Sequence, residues 1–200
     1  MNDKELSEYR KSPLSKPVDE SIATFLSLSY NKELDENWFI KIGQLTDLTA
    51  LHLDKTAIDN YSLSYLNNLQ QLKHLNLRGT AISNPALKTL SQLKSLVSLW
   101  INDSQIDGKA LKQLASLEKI EDLFLCNLKV TDQDILFLKN KKTIKTLSLD
   151  GTNVSSASFD VFESLPNLWY LDVTNTFISE AAIILFKNKY PKMVIHHIDY

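Results

Sequence analysis

The sequence predicts an α/β solenoid, a right-handed horseshoe with a parallel β-sheet on its concave side and short helices on its convex side. Three observations carry that expectation. First, apolar residues recur every 24 positions without an insertion: Leu48, Leu72, Leu96, Ile120, Ile144 and Leu168 open six units. Leu51, Leu75, Leu99, Leu123, Leu147 and Leu171 follow at one fixed offset, and Ile58, Ile82, Ile106, Val130, Val154 and Ile178 at another. A constant period of this length marks stacked units that cannot bury their apolar faces alone. Second, the apolar spacing changes within each unit from two, as in HLNLR at 74–78, to three, as in Leu87, Leu90 and Leu93. A spacing of two fits a strand, and a spacing of three puts side chains on one face of a short helix. Third, Asp59, Ser83, Asp107, Thr131, Ser155 and Ser179 share one offset ahead of the helical part. Each carries a side-chain oxygen able to accept an orphan helix N–H, so all six are expected to be N-caps.

In chain order, residues 1–22 are polar, with Pro13 and Pro17, and read as an arm or irregular cap. The repeat domain is expected over 23–191, in about seven units. Its first unit, 23–47, is divergent: Ala23, Leu26, Leu28 and Asn31 fit the template, Leu34 arrives one residue late, and Phe39, Ile42 and Leu45 complete it. Terminal repeats deviate because they close the core. Residues 192–200, containing MVIHHI, read as a closing strand. Between strand and helix stands a hydroxyl column, Thr56, Thr80, Ser104, Thr152 and Thr176, expected to bond the backbone of neighbouring turns. Leu128 interrupts the column, so its turn should differ.

The pattern LxxLxLxxTxI over residues 48–191 resembles the leucine-rich-repeat family. It is similar to short bacterial repeats of that family and to its cysteine-containing subclass, with hydroxyls where that subclass has Cys or Asn. The resemblance implies a module that holds a partner protein on its strand-lined face.

Bulk properties narrow the alternatives. With 44% apolar residues the 200-residue chain can fill a continuous core. A net charge of −2 does not suggest a nucleic-acid partner. Cys126 is the single cysteine, so no internal disulfide can form. No segment approaches the ~20 apolar residues of a membrane span. The N-terminal residues are charged and unlike a secretory signal. A cytoplasmic monomer is expected, with secretion lacking a cleaved signal as the alternative.

Strand alternation assigns the side chains that face away from the core. They form three columns: Phe25, Ala50, His74, Ser98, Asp122, Thr146, Tyr170; Ser27, His52, Asn76, Trp100, Phe124, Ser148, Asp172; and Ser29, Asp54, Arg78, Asn102, Cys126, Asp150, Thr174. Trp100 and Phe124 fall side by side, and clustered exposed aromatics mark interaction surfaces. The alternative is a cross-strand pair that only stiffens the sheet. His52, His74, Asn76 and Arg78 lie on one side of the pair. Asn102, Asp122, Asp150, Tyr170 and Asp172 lie on or beyond it, so a face that is cationic to neutral at one end and acidic at the other is expected.

These eleven residues are the expected partner-binding set. Nothing here amounts to catalytic chemistry, and no enzyme, metal or cofactor is expected. His52, His74 and Asp54 lie on a flat open face without converging geometry. His196 and His197 are consecutive and should point apart, and Cys126 has no evident base beside it. The leading expectation is a protein-binding module. The alternatives are a secreted or injected bacterial effector that binds a host protein and, more remotely, a metal-binding protein or enzyme.

Overall fold

In the computed structural model, which describes residues 24–197, the apolar register becomes a ladder of strands: β1 Phe25–Ser27, β2 Ala50–His52, β3 His74–Asn76, β4 Ser98–Trp100, β5 Asp122–Phe124, β6 Thr146–Ser148, β7 Tyr170–Asp172 and β8 Val194–His196. They form one parallel sheet in sequence order. Pairing follows the repeat: Leu51 lies beside Leu75, Leu75 beside Leu99, and Trp100 beside Phe124. Leu26, Leu51, Leu75, Leu99, Leu123, Leu147, Leu171 and Ile195 point inward and line up as one apolar row. The arm expected at 1–22, Ala23 and the last three residues lie outside the described part. The β8 strand supplies an eighth rung from MVIHHI.

The first unit is one residue longer, as its late Leu34 indicates. Phe25 pairs with Ala50, 25 positions on. The turn between absorbs the extra residue, because the helix cap Asp35 stands 24 before its equivalent Asp59. Asp35 accepts from Trp38 N at 3.1 Å and is a cap the sequence reading did not include.

The convex side is built from α1 Glu36–Gly43, α2 Asn60–Ser64, α3 Ala86–Leu90, α4 Phe159–Glu163 and α5 Glu180–Lys189, interspersed with 3₁₀ turns at Tyr65–Asn68, Gly108–Ser116, Leu136–Leu138 and Ser156–Ser158. The apolar spacing of three is itself the 3₁₀ repeat. Leu111 and Leu114 within Gly108–Ser116, and Leu117 just after it, are buried. Strands stack at ~4.8 Å, whereas α-helices need ~8–10 Å. The sheet therefore takes the inner side of the curve, and narrow turns on the outer side limit the curvature.

Four of the six expected caps form. Asp59 accepts from Ser62 N, Asp107 from Lys109 N, Ser155 from Ala157 N and Ser179 from Ala182 N. Ser83 and Thr131 do not cap. The α3 helix starts later, at Ala86 with Pro85 in the cap position, and Ser83 is instead held by Asn60, whose Nδ2 donates to Ser83 Oγ at 2.8 Å and whose Oδ1 accepts from Ser83 N at 2.8 Å.

The Asn60 bond belongs to a second column. Asn84 Oδ1 accepts from Asp107 N at 2.7 Å, and Asp132 Oδ1 accepts from Ser155 N at 2.8 Å, so at three steps one side chain clasps a unit to the next. At the step between, the equivalent residue is Gly108, which has no side chain to offer. Thr131 N there donates to Asp134 Oδ2, at 2.9 Å, inside its own unit. A Cβ on Gly108 would stand 2.5 Å from that same oxygen.

The hydroxyl column also departs from expectation. Thr56, Thr80, Thr152 and Thr176 each donate to the carbonyl three residues back in their own turn, at 2.6–2.7 Å, and not to a neighbouring turn. Ser104 Oγ is buried with no hydrogen-bond partner among the described residues. The turn at Leu128 does differ: its side chain joins the core, and Val130 N donates to Leu128 O at 2.8 Å.

A further column is the left-handed one. Tyr30, Lys55, Gly79, Asp103, Asn127, Gly151 and Asn175 all have φ between 53° and 67°. Gly, Asn and Asp tolerate that region, which explains five of the seven residues. The N–H groups of Lys55, Gly79, Asp103, Asn127 and Gly151 donate to the carbonyl one residue earlier in the next unit's column, at 2.7–3.0 Å. The left-handed turn thus extends the sheet's hydrogen bonding beyond each three-residue strand.

Candidate functional site: the concave sheet face

Leu99 and Ile101 are fully buried, so strand alternation turns Trp100 between them onto the opposite face. Phe124 is placed the same way between Leu123 and Leu125. The two rings stack with centroids 4.9 Å apart and planes 6° from parallel, and both are half-buried. Their separation matches the strand spacing, so the ring planes stand across the sheet like successive rungs.

The aromatic row is longer than the sequence reading had it. His52 lies edge-on to Trp100, with centroids 6.4 Å apart at 64°, and Phe25 lies edge-on to His52 at 5.1 Å and 84°. Asn76 occupies the strand between His52 and Trp100 but turns aside. Its Nδ2 donates to Asp54 Oδ1 at 3.2 Å, and its Oδ1 accepts from Arg78 N at 3.0 Å. Phe25 could have been found as the diagonal neighbour of His52 in the column grid. Trp169, 53% exposed and 5.9 Å from the Tyr170 ring, was also missed. Its offset holds Thr49, Lys73, Val97, Glu121 and Lys145 in other units, and a lone tryptophan in that mostly polar series was the available signal.

The two ends of the face hold their charged groups differently. Burial pushes the His52 imidazole below its ordinary range, with Asp54 opposing and His74 adding to the effect. His52 is therefore neutral near pH 7. Arg78 is tied to Asp103, its Nε 2.9 Å from Oδ2. His74 is exposed. Burial of His52 and pairing of Arg78 thus move the N-terminal end toward the neutral side of that expectation. At the other end, Ser98 Oγ donates to Asp122 Oδ2 at 3.1 Å, Ser148 Oγ to Asp172 Oδ2 at 3.2 Å, and Asn175 Nδ2 to Asp150 Oδ1 at 3.1 Å. All these donors are neutral. Tyr170 is partly exposed and packs 5.2 Å from His196.

Asn102 does not fit a partner-binding role. It is 7% exposed, and its Oδ1 accepts from Cys126 N at 3.2 Å. Burial pushes the Cys126 thiol up, against the bond it shares with Ser148 Oγ at 3.0 Å. His197 Nε2 is 2.8 Å from Ile178 O, away from His196. Among the described residues no three His, Cys, Asp or Glu side chains come together as metal ligands.

Comparison with solved structures places this architecture. The chain is similar to a leucine-rich-repeat protein of Leptospira interrogans, with TM-score 0.60 and 23% identity, over 80% of this chain and 39% of that one. It is similar to internalin C2 of Listeria monocytogenes, with TM-score 0.60 and 21% identity, over 88% of this chain and 81% of that one. The fold is that of a leucine-rich-repeat protein. A plant peptide hormone receptor, solved in complex with RGF2, matches with TM-score 0.50 and 17% identity over 79% of this chain and 26% of its own. The chain therefore spans 39% of the Leptospira chain and 26% of the plant one. No protein-family model matches it, and no curated protein matches it. Among the described residues, no helix of this leucine-rich-repeat unit is long and apolar enough to cross a membrane.

Proposed function

We propose that this chain is a protein-binding module whose concave sheet face, centred on Trp100 and Phe124, seats a partner protein. The observation that carries the reading is the stacked pair itself, half-exposed on the face opposite the core. Rigid aromatic surface of this kind supplies much of the binding energy where proteins meet. Around the rings, His52, His74, Asn76, Arg78, Asp122, Asp150, Tyr170 and Asp172 provide hydrogen-bonding and charged groups at the rim. The Leptospira and Listeria structures share the fold, and the plant receptor was solved with a bound partner. A module acting in the cytoplasm of a bacterium and an effector exported to a host would use the same surface. Fractionating cells that make the protein separates the two.

The test uses neighbours with opposite orientations. Leu99 is fully buried, and Leu99→Ala should destabilise by about 2–5 kcal/mol through the cavity it leaves. Trp100→Ala should keep most of the melting temperature and weaken partner binding by about 2 kcal/mol or more. Phe124→Ala should be milder, and non-additive with Trp100→Ala because the rings share one contact. A melting curve and a binding isotherm for each variant decide. A Trp100 variant as unstable as the Leu99 variant, with unchanged binding, would make the pair structural.

A further inference from the structure

Along the middle column the order is Trp100, Phe124, Ser148, Asp172, on successive strands. One face of the Phe124 ring is covered by Trp100. The other face looks along the row toward β6, where Ser148 is short and buried and forms a floor. Beyond that floor stands the Asp172 carboxylate, to which Ser148 Oγ donates. Phe124 and Asp172 are two strand spacings apart, ~9.6 Å. That span admits one flat cationic group with an aromatic face on one side and a carboxylate on the other. A ring face attracts a cation through its quadrupole, and a carboxylate does so through its charge.

The surrounding charge points the same way. From Ser98 onward, the three columns contain Asp122, Asp150 and Asp172 and neither lysine nor arginine. The ion pairs among the described residues are Arg78–Asp103, Lys145–Glu121 and Lys189–Glu163, so these three carboxylates are bonded only to neutral donors. Neighbouring groups register the field. Burial raises the Tyr170 phenol and the Cys126 thiol, and Asp172 adds to both.

We propose that the partner segment seated on this face is basic and extended, with one arginine or lysine side chain entering between Phe124 and Asp172 and further positive charges meeting Asp122 and Asp150. This rests on the binding role of the aromatic pair and adds the chemistry of what is bound. From β4 to β7 the path covers three strand spacings, ~14 Å, or about four to five residues of extended chain. A segment of that length carries two or three side chains facing the sheet, enough to engage the slot and its flanking carboxylates.

The probes are three pools of synthetic peptides about ten residues long, identical in apolar content, whose remaining positions are basic, neutral-polar or acidic. Each pool is titrated against the full chain, the Trp100→Ala variant and the Asp122→Asn, Asp150→Asn, Asp172→Asn triple variant. Asn keeps the shape and an acceptor for Ser98, Ser148 and Asn175, and circular dichroism verifies folding. The basic pool should bind the full chain best, lose about tenfold or more in affinity to each variant, and weaken as salt rises. Trp100-dependent binding that is unchanged in the triple variant, or is equally strong for the neutral or acidic pools, would overturn the basic segment and leave the aromatic site standing. Failure of every pool to bind, or binding indifferent to Trp100→Ala, would overturn both.

Discussion

Thr80 and Ser104 occupy the same turn one unit apart and have different environments. Thr80 Oγ1 donates to Leu77 O at 2.6 Å, while Ser104 Oγ is buried without a partner among the described residues. A buried polar group gains stability only when it is bonded, and an unbonded one carries its desolvation cost. Thr80→Ala should therefore destabilise by about 1–2 kcal/mol, and Ser104→Ala should be neutral or stabilising. Denaturant melts of the two variants decide, and equal losses would mean that Ser104 is bonded in solution. His52 gives a pH signature. Its folded-state pKa lies below its ordinary 6.5, so the unfolded chain binds its proton first as pH falls. The stability that neutral His52 contributes is fully present above pH ~6.5 and is lost on acidification below it, toward the folded-state value. His52→Gln should flatten the melting temperature against pH across that window. An unchanged profile would place the pH dependence elsewhere. At this scale the outward set was legible, because alternation fixes which way Leu99, Trp100 and Ile101 point. The burial of Asn102 and the neutrality of His52 were not legible, since both depend on side chains of adjacent strands.

Asp107 shows what the N-cap column does for an element. Its carboxylate accepts from Lys109 N at 2.9 Å at the start of the 3₁₀ turn Gly108–Ser116. Asp107→Ala should cost about 1 kcal/mol of stability and leave affinity for the partner unchanged. If binding collapses while melting holds, Asp107 belongs to the interaction surface. Elements were readable in kind and position because each unit repeats the same change of period. Their finer nature was less so. The spacing of three fits an α-helix and a 3₁₀ turn alike, and packing against the next unit chooses between them. Ser83 and Thr131 have the chemistry of caps, but Asn60 and Asp134 engage them first. The left-handed column was partly visible as Gly, Asn or Asp at five positions, and Tyr30 and Lys55 obscured it.

At the scale of the molecule, the solenoid was legible because one register, held over six units, leaves no other way to bury the leucines. The outward face was legible in the sequence, and the state of its cations was not, because Arg78 is paired with Asp103 and His52 is partly buried.

Gly108 leaves a gap in a column of side-chain clasps. Such clasps join neighbouring units through Asn60, Asn84 and Asp132, whereas at Gly108 the backbone takes over, Gly108 N donating to Lys129 O at 3.2 Å, and Asp134 serves its own unit. In a stack whose units touch only their neighbours, local opening is set junction by junction. Thr131 N is held inside its own unit and Ser83 N by the unit before it, so amides near Thr131 should exchange with solvent sooner than those near Ser83. The stacked rings straddle that same junction. A partner lying across them would act as a splint, so occupancy should appear as slower exchange of the amides near Thr131, on the opposite side of the stack from the bound segment.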